Sequence, residues 1–133
     1  MIYELSNPVA KTLLNHLREK QTDALRFRHI VQELSRLLVY EALKNETLEE
    51  QTITSWQGKE SFGFIKEEDI IFVTILRAGL PMIEAVTALL PNASSGFLAM
   101  KRDENTHQSV LYYDRIPECQ DKTVIIVDPM VAT

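Results

Sequence analysis

The sequence predicts an α/β fold with a mainly parallel central sheet, preceded by a pair of N-terminal helices. Three stretches carry that expectation. Apolar residues recur at helical spacing from Val9 to about Leu43. The run Ile70-Ile71-Phe72-Val73-Thr74-Ile75-Leu76 is almost continuously apolar and β-branched, the texture of a strand covered on both faces. A second such run, Thr123-Val124-Ile125-Ile126-Val127, reads as another buried strand and delivers Asp128-Pro129-Met130-Val131-Ala132-Thr133.

In chain order, Ser6-Asn7-Pro8 places a capping side chain before a proline, the signature of a helix start. Val9, Leu13, Leu14 and Leu17 then predict an amphipathic helix over about residues 8–20. Thr22-Asp23 restarts the count, and Phe27, Ile30, Val31, Leu34, Leu37 and Leu38 mark a longer helix to about Leu43. Nearly all of these apolar side chains read as core. Gln51 to Trp56 alternates like a half-exposed strand, and Gln57-Gly58 reads as a turn. After the strand at 70–76, Arg77-Ala78-Gly79-Leu80-Pro81 leads into a helix carried by Met82, Ile83, Val86, Leu89 and Leu90. Gly96 to Met100 is a short strand, Lys101 to Ser109 a polar excursion, Val110 to Tyr113 a strand, and Asp114 to Lys122 a loop. Residues 1–133 thus read as a single α/β domain, with helices over about 8–45 and an α/β core over about 50–133.

Composition narrows the function. At 133 residues and 45% hydrophobic, the chain can build one real core, and 25% charged residues are ordinary for a globular protein. No apolar run approaches the roughly 18 residues of a membrane span. The N-terminus lacks the basic-then-apolar pattern of a signal peptide. The lone Cys119 excludes an internal disulfide and fits a reducing cytoplasm. It lies beside Glu118 with no histidine near it in sequence, and His16, His29 and His107 show no zinc spacing. A net charge of −5, with basic clusters only at Arg26/Arg28 and Lys101/Arg102, argues against a nucleic-acid footprint. An anionic small molecule held by a few arginines and a metal ion remains compatible.

Three segments are candidate sites. Arg77-Ala78-Gly79 follows a strand of parallel type, where a cation either binds a ligand anion or leaves the core to solvate its head. Lys101-Arg102-Asp103-Glu104-Asn105-Thr106-His107 lacks apolar anchors, so it is either a loop that closes over a reacting centre or a solvated hairpin tip. Asp128 to Thr133 offers a carboxylate for sugar hydroxyls and the beginning of a phosphate cradle, or else a strand-end turn. Trp56, Tyr112 and Tyr113 read as packing or interface residues, and Arg26-Phe27-Arg28 as two solvated or paired arginines around a core Phe.

Taken together, Asn7-Pro8, Arg26-Phe27-Arg28, Leu37-Leu38-Val39-Tyr40-Glu41-Ala42, Ile75-Leu76-Arg77-Ala78-Gly79-Leu80, Lys101-Arg102-Asp103-Glu104 and Val127-Asp128-Pro129-Met130-Val131-Ala132-Thr133 resemble the uracil phosphoribosyltransferases. Asp-Pro-Met at the strand end is the most specific element. The resemblance implies a type I phosphoribosyltransferase-like fold, broken off within the loop that binds phosphoribosyl diphosphate (PRPP). It implies transfer of phosphoribosyl from PRPP to uracil in pyrimidine salvage, giving UMP and diphosphate. Magnesium would accompany PRPP, GTP would activate as in some members, and a homodimer would form partly on the N-terminal helices. By the same analogy Arg77 and Arg102 bind the pyrophosphate, assisted by the backbone of Ala78 and Gly79. Asp128 binds the ribose hydroxyls, and Pro129, Met130, Val131, Ala132 and Thr133 begin the 5′-phosphate loop. The segment that reads uracil is not among these residues, so this piece alone is expected to be inactive. A shortened, catalytically silent homologue that binds a nucleotide or a partner and regulates is the alternative.

Overall fold

Asn7 and Asp23 start the two N-terminal helices. In this computed structural model, which describes residues 2–106 and 108–130, the Asn7 side chain accepts from the Val9 amide and that of Asp23 from the Arg26 amide, both at 2.8 Å. Each satisfies a donor that the first helical turn leaves orphaned. Helix α1 runs Pro8–Arg18 and α2 runs Ala24–Ala42. Their buried stripe is narrower than the spacing predicts. Ala10, Ile30, Val31 and Val39 are buried, whereas Val9, Leu14, Phe27 and Leu38 are 42–61% exposed. The pair packs inward along one face only, so apolar residues around the rest of each helix remain outside the core.

Strands β1 (Leu48–Ser55) and β2 (Gly58–Ile65) form an antiparallel hairpin that is a sheet of its own, paired from Leu48↔Ile65 to Ser55↔Gly58. The second strand was not expected. Trp56, at the hairpin turn, is 91% exposed and is not a packing residue within this chain.

A single 3-10 turn, Glu67–Asp69, leads into β3 (Ile70–Leu76). Then come α3 (Leu80–Leu89), β4 (Ser94–Arg102), β5 (Ser109–Arg115) and β6 (Thr123–Val127). The main sheet has the order β5-β4-β3-β6, with β4 and β6 both parallel to β3 and β5 antiparallel to β4. On one face Ile70, Phe72 and Val127 pack with Val31 and Val39 of α2 and with Met82, Ile83 and Val86 of α3. Gln32 on α2 donates to Glu84 on α3 at 3.2 Å, joining the two helices at the surface.

Strands β5 and β6 lie at opposite edges, so the connector between them must cross the sheet. It does so over the second face, where Ile116 and Pro117 lie against Gly96, close to Val73. Lys122 anchors the far end, donating to the Glu68 carbonyl at 3.0 Å and pairing with Asp69. Among the described residues β6 pairs with β3 alone, and on its second face Val124 and Ile126 are 41% and 64% exposed. The apolar texture of β6 therefore overstated its burial, because an edge strand covered on one face hides only alternate side chains.

Candidate functional site

Because β3, β4 and β6 are parallel, their carboxyl ends open on one edge of the sheet. The chain leaves β3 for β4 on one side, while β6 lies on the other. Open α/β sheets bind ligands at such a divide. Two predicted segments meet there: Arg77-Ala78-Gly79 after β3 and Asp128-Pro129-Met130 after β6.

The first turn is tight. The Leu76–Arg77 peptide bond is cis, the Gly79 amide donates to the Ile75 carbonyl at 3.2 Å, and Arg77 and Ala78 are exposed while Gly79 is buried. Gly79 also caps α3, its carbonyl accepting from the amides of Met82 at 3.0 Å and Ile83 at 3.1 Å. The positive end of the α3 dipole thus lies at the turn that carries the exposed Arg77, and a helix N-terminus and a cation both favour an anion at this edge.

The second turn is held to the first by a residue that sequence reasoning passed over. Thr74 is fully buried, and its hydroxyl donates to the Val127 carbonyl at 2.9 Å. A Cβ added to Gly79 would stand 1.8 Å from that hydroxyl oxygen and 3.0 Å from the same carbonyl. One hydroxyl therefore joins β3, the peptide leading into Asp128, and the cap of α3. The only signal was a lone polar residue within an apolar strand.

Asp128 is half-buried, Pro129 and Met130 are exposed, and Val131, Ala132 and Thr133 lie outside the described residues. Asp128 and Pro129 form one wall of a pocket of about 340 Å³, whose other walls include Tyr3, Leu5, Leu14, Leu34 and Met82. That lining is mostly apolar, with Lys11 as the one cation among the described residues that line it.

Arg102 is not gathered into this corner. The polar excursion begins later than expected, since Lys101 and Arg102 are the last residues of β4 and pair with Val110 and Ser109. Ala99 is level with Leu76, so Arg102 lies about 10 Å farther along the strand. The turn beyond it is organised by Asp103, whose Oδ1 accepts from the Asn105 amide at 2.9 Å and from the Thr106 amide at 2.7 Å and hydroxyl at 3.0 Å. These hydrogen bonds, those from the Thr106 and Asn105 backbone foremost, hold the Asp103 carboxyl below its ordinary value. His107 lies outside the described residues. Among the described residues no three His, Cys, Asp or Glu side chains gather to hold a metal ion. No helix is long and apolar enough to cross a membrane among them.

Comparison with known proteins matches this arrangement to one family. The sequence model described as "Uracil phosphoribosyltransferase" matches residues 4–133. The chain belongs to the uracil phosphoribosyltransferase family. A uracil phosphoribosyltransferase of Aquifex aeolicus is 47% identical over 133 residues, covering all of this chain and 64% of that protein. Another uracil phosphoribosyltransferase, from Fervidobacterium nodosum, is 37% identical over 134 residues, covering 100% of the chain and 65% of its own length. The solved structure of the Aquifex aeolicus protein AQ2163 superposes with a TM-score of 0.93 at 47% identity, covering 100% of this chain and 64% of that one. The chain thus spans about two-thirds or slightly less of the uracil phosphoribosyltransferases it matches. Over that span it has the family's α/β fold.

Proposed function

We infer that this chain supplies the PRPP-binding edge of a uracil phosphoribosyltransferase, an enzyme that joins phosphoribosyl to uracil and releases diphosphate. The observation that carries the reading is the convergence of the Arg77 and Asp128 turns at the divide between β3 and β6, in a chain of this family. Arg77, with the backbone of Ala78 and Gly79 and the α3 N-terminus, faces the diphosphate. Asp128 accepts from the ribose hydroxyls, and the residues from Pro129 onward begin the 5′-phosphate loop. Arg102 reaches the diphosphate by movement of the β4–β5 hairpin.

The chemistry asks for these groups. As the anomeric C–O bond breaks, positive charge grows on the sugar and negative charge on the leaving diphosphate. A fixed cation aimed at the diphosphate stabilises that separated state more than the bound substrate. Exclusion of water keeps the sugar cation for uracil. With one half-buried carboxylate at this edge, magnesium belongs with the substrate's own phosphates rather than in a protein cage.

Titration of the purified chain with magnesium PRPP, followed by an assay for UMP from labelled uracil, tests the reading. Residues 1–133 alone are expected to bind PRPP without forming UMP; Arg77→Ala should weaken that binding and, in a chain that continues past Thr133, cut turnover by about 100-fold, the cost of losing one donor to developing charge. Failure of the wild-type chain to bind PRPP at millimolar concentration would refute the reading. Adding GTP to the assay of the longer chain tests activation, and the concentration dependence of the mass in solution tests the homodimer.

A further inference from the structure

We propose that Thr74 is a positioning residue, which sets the Asp128 turn at a fixed spacing from the Arg77–Gly79 turn. The proposal rests on the PRPP reading above and assigns a role within that site. Position 74 lies among Ile71, Phe72, Val73 and Ile75, where valine would match threonine in shape without bringing a polar atom into the core. The hydroxyl is fully buried, and its one partner among the described residues is the Val127 carbonyl at 2.9 Å.

That carbonyl belongs to the peptide unit whose nitrogen is the Asp128 amide. Fixing it fixes the plane from which the Asp128 side chain departs. The Gly79 backbone lies directly against the same hydroxyl, since a Cβ there would come within 1.8 Å of it. A movement of either turn is therefore felt at one atom. PRPP carries its diphosphate on the anomeric carbon and its phosphate on the far side of the ribose, so a ligand spanning both turns depends on their separation. A ligand touching only one turn does not.

The test compares Thr74→Val, which keeps the shape without the donor, with Thr74→Ser, which keeps the donor. Calorimetry reads three probes: PRPP, inorganic pyrophosphate and ribose 5-phosphate. For Thr74→Val, PRPP affinity should fall about fivefold, the worth of one net hydrogen bond, while each half-ligand keeps its wild-type affinity. Thr74→Ser should restore PRPP binding. Should the valine protein not fold, Thr74→Cys, a weaker donor, carries the same comparison with a smaller loss. Wild-type PRPP affinity in the valine protein would overturn the proposal, as would an equal loss for all three probes. A wild-type protein that binds none of the probes removes the PRPP reading and the proposal with it, and is recognised before any substitution is made.

Discussion

Gly79→Ala is the sharpest test of how the two turns are packed. Gly79 has φ −80° and ψ −2°, a conformation any residue adopts, so backbone freedom is not what the position needs. It needs space. The new methyl would meet the Thr74 hydroxyl at 1.8 Å, the Val127 carbonyl at 3.0 Å and the Thr74 Cβ at 3.2 Å. Thr74 has stiff χ1 preferences and sits mid-strand, so relief requires turning its hydroxyl off Val127 or moving the start of α3. Overpacking costs about 1–3 kcal/mol. The lost hydrogen bond adds roughly 1 kcal/mol, for a total of about 2–4 kcal/mol. For a domain of this size that lowers the thermal midpoint by roughly 10 °C.

Urea denaturation of the wild type, Gly79→Ala, Thr74→Ala and the double variant gives the full cycle. Removing the Thr74 hydroxyl makes room for the new methyl, so the double variant should be more stable than the sum of the two losses by about 1–2 kcal/mol. The contact with Val127 persists and keeps the rescue partial. A Gly79→Ala protein within about 0.5 kcal/mol of wild type, or a strictly additive cycle, would refute this packing argument.

Other substitutions separate local from global effects. Phe72→Ala empties a fully buried site against α2 and α3 and should cost about 3–5 kcal/mol by urea titration. Gly58, at φ +120° with open space around it, should respond to alanine through backbone strain alone, about 1–3 kcal/mol. That loss should appear as faster amide exchange in β1 and β2 while the midpoint of the main sheet stays put. Hydrogen bonds from Lys122 and then Lys66 lower the Asp69 carboxyl below its ordinary value. The stabilisation is complete above the unfolded-state value of about 3.9 and is lost as pH falls through the lower folded-state value. Asp69→Asn should therefore reduce the acid-side loss of stability, measured as urea midpoints from pH 7 down to pH 2.

What could be read from the sequence follows from where burial leaves a period. The starts of α1 and α2 were legible because Asn7-Pro8 and Asp23 are chemical signals in their own right. β3 was legible because it is covered on both faces. β2 was not, because Lys59, Glu60, Ser61 and Gly63 break any alternation in a hairpin that buries almost nothing. β4 was read too short because Lys101 and Arg102 continue the ladder beyond the core, where polar side chains cost nothing. Of the candidate site, the charged ends were visible as residue types in strand-end positions. The bond between Thr74 and Val127 was not, since it depends on a strand pairing that no local pattern announces.

That pairing spans a separation of 53 residues. The β1–β2 and β4–β5 hairpins close over short loops, but β6 can join β3 only after the connector has passed over the sheet. Such long closures come late in folding and come apart readily. As the chain is made, the Arg77 turn therefore exists well before the Asp128 turn has a place to stand. A ligand that grips both would act as a clasp on β6. Its presence should slow the fraying of β6 more than that of β3, β4 or β5.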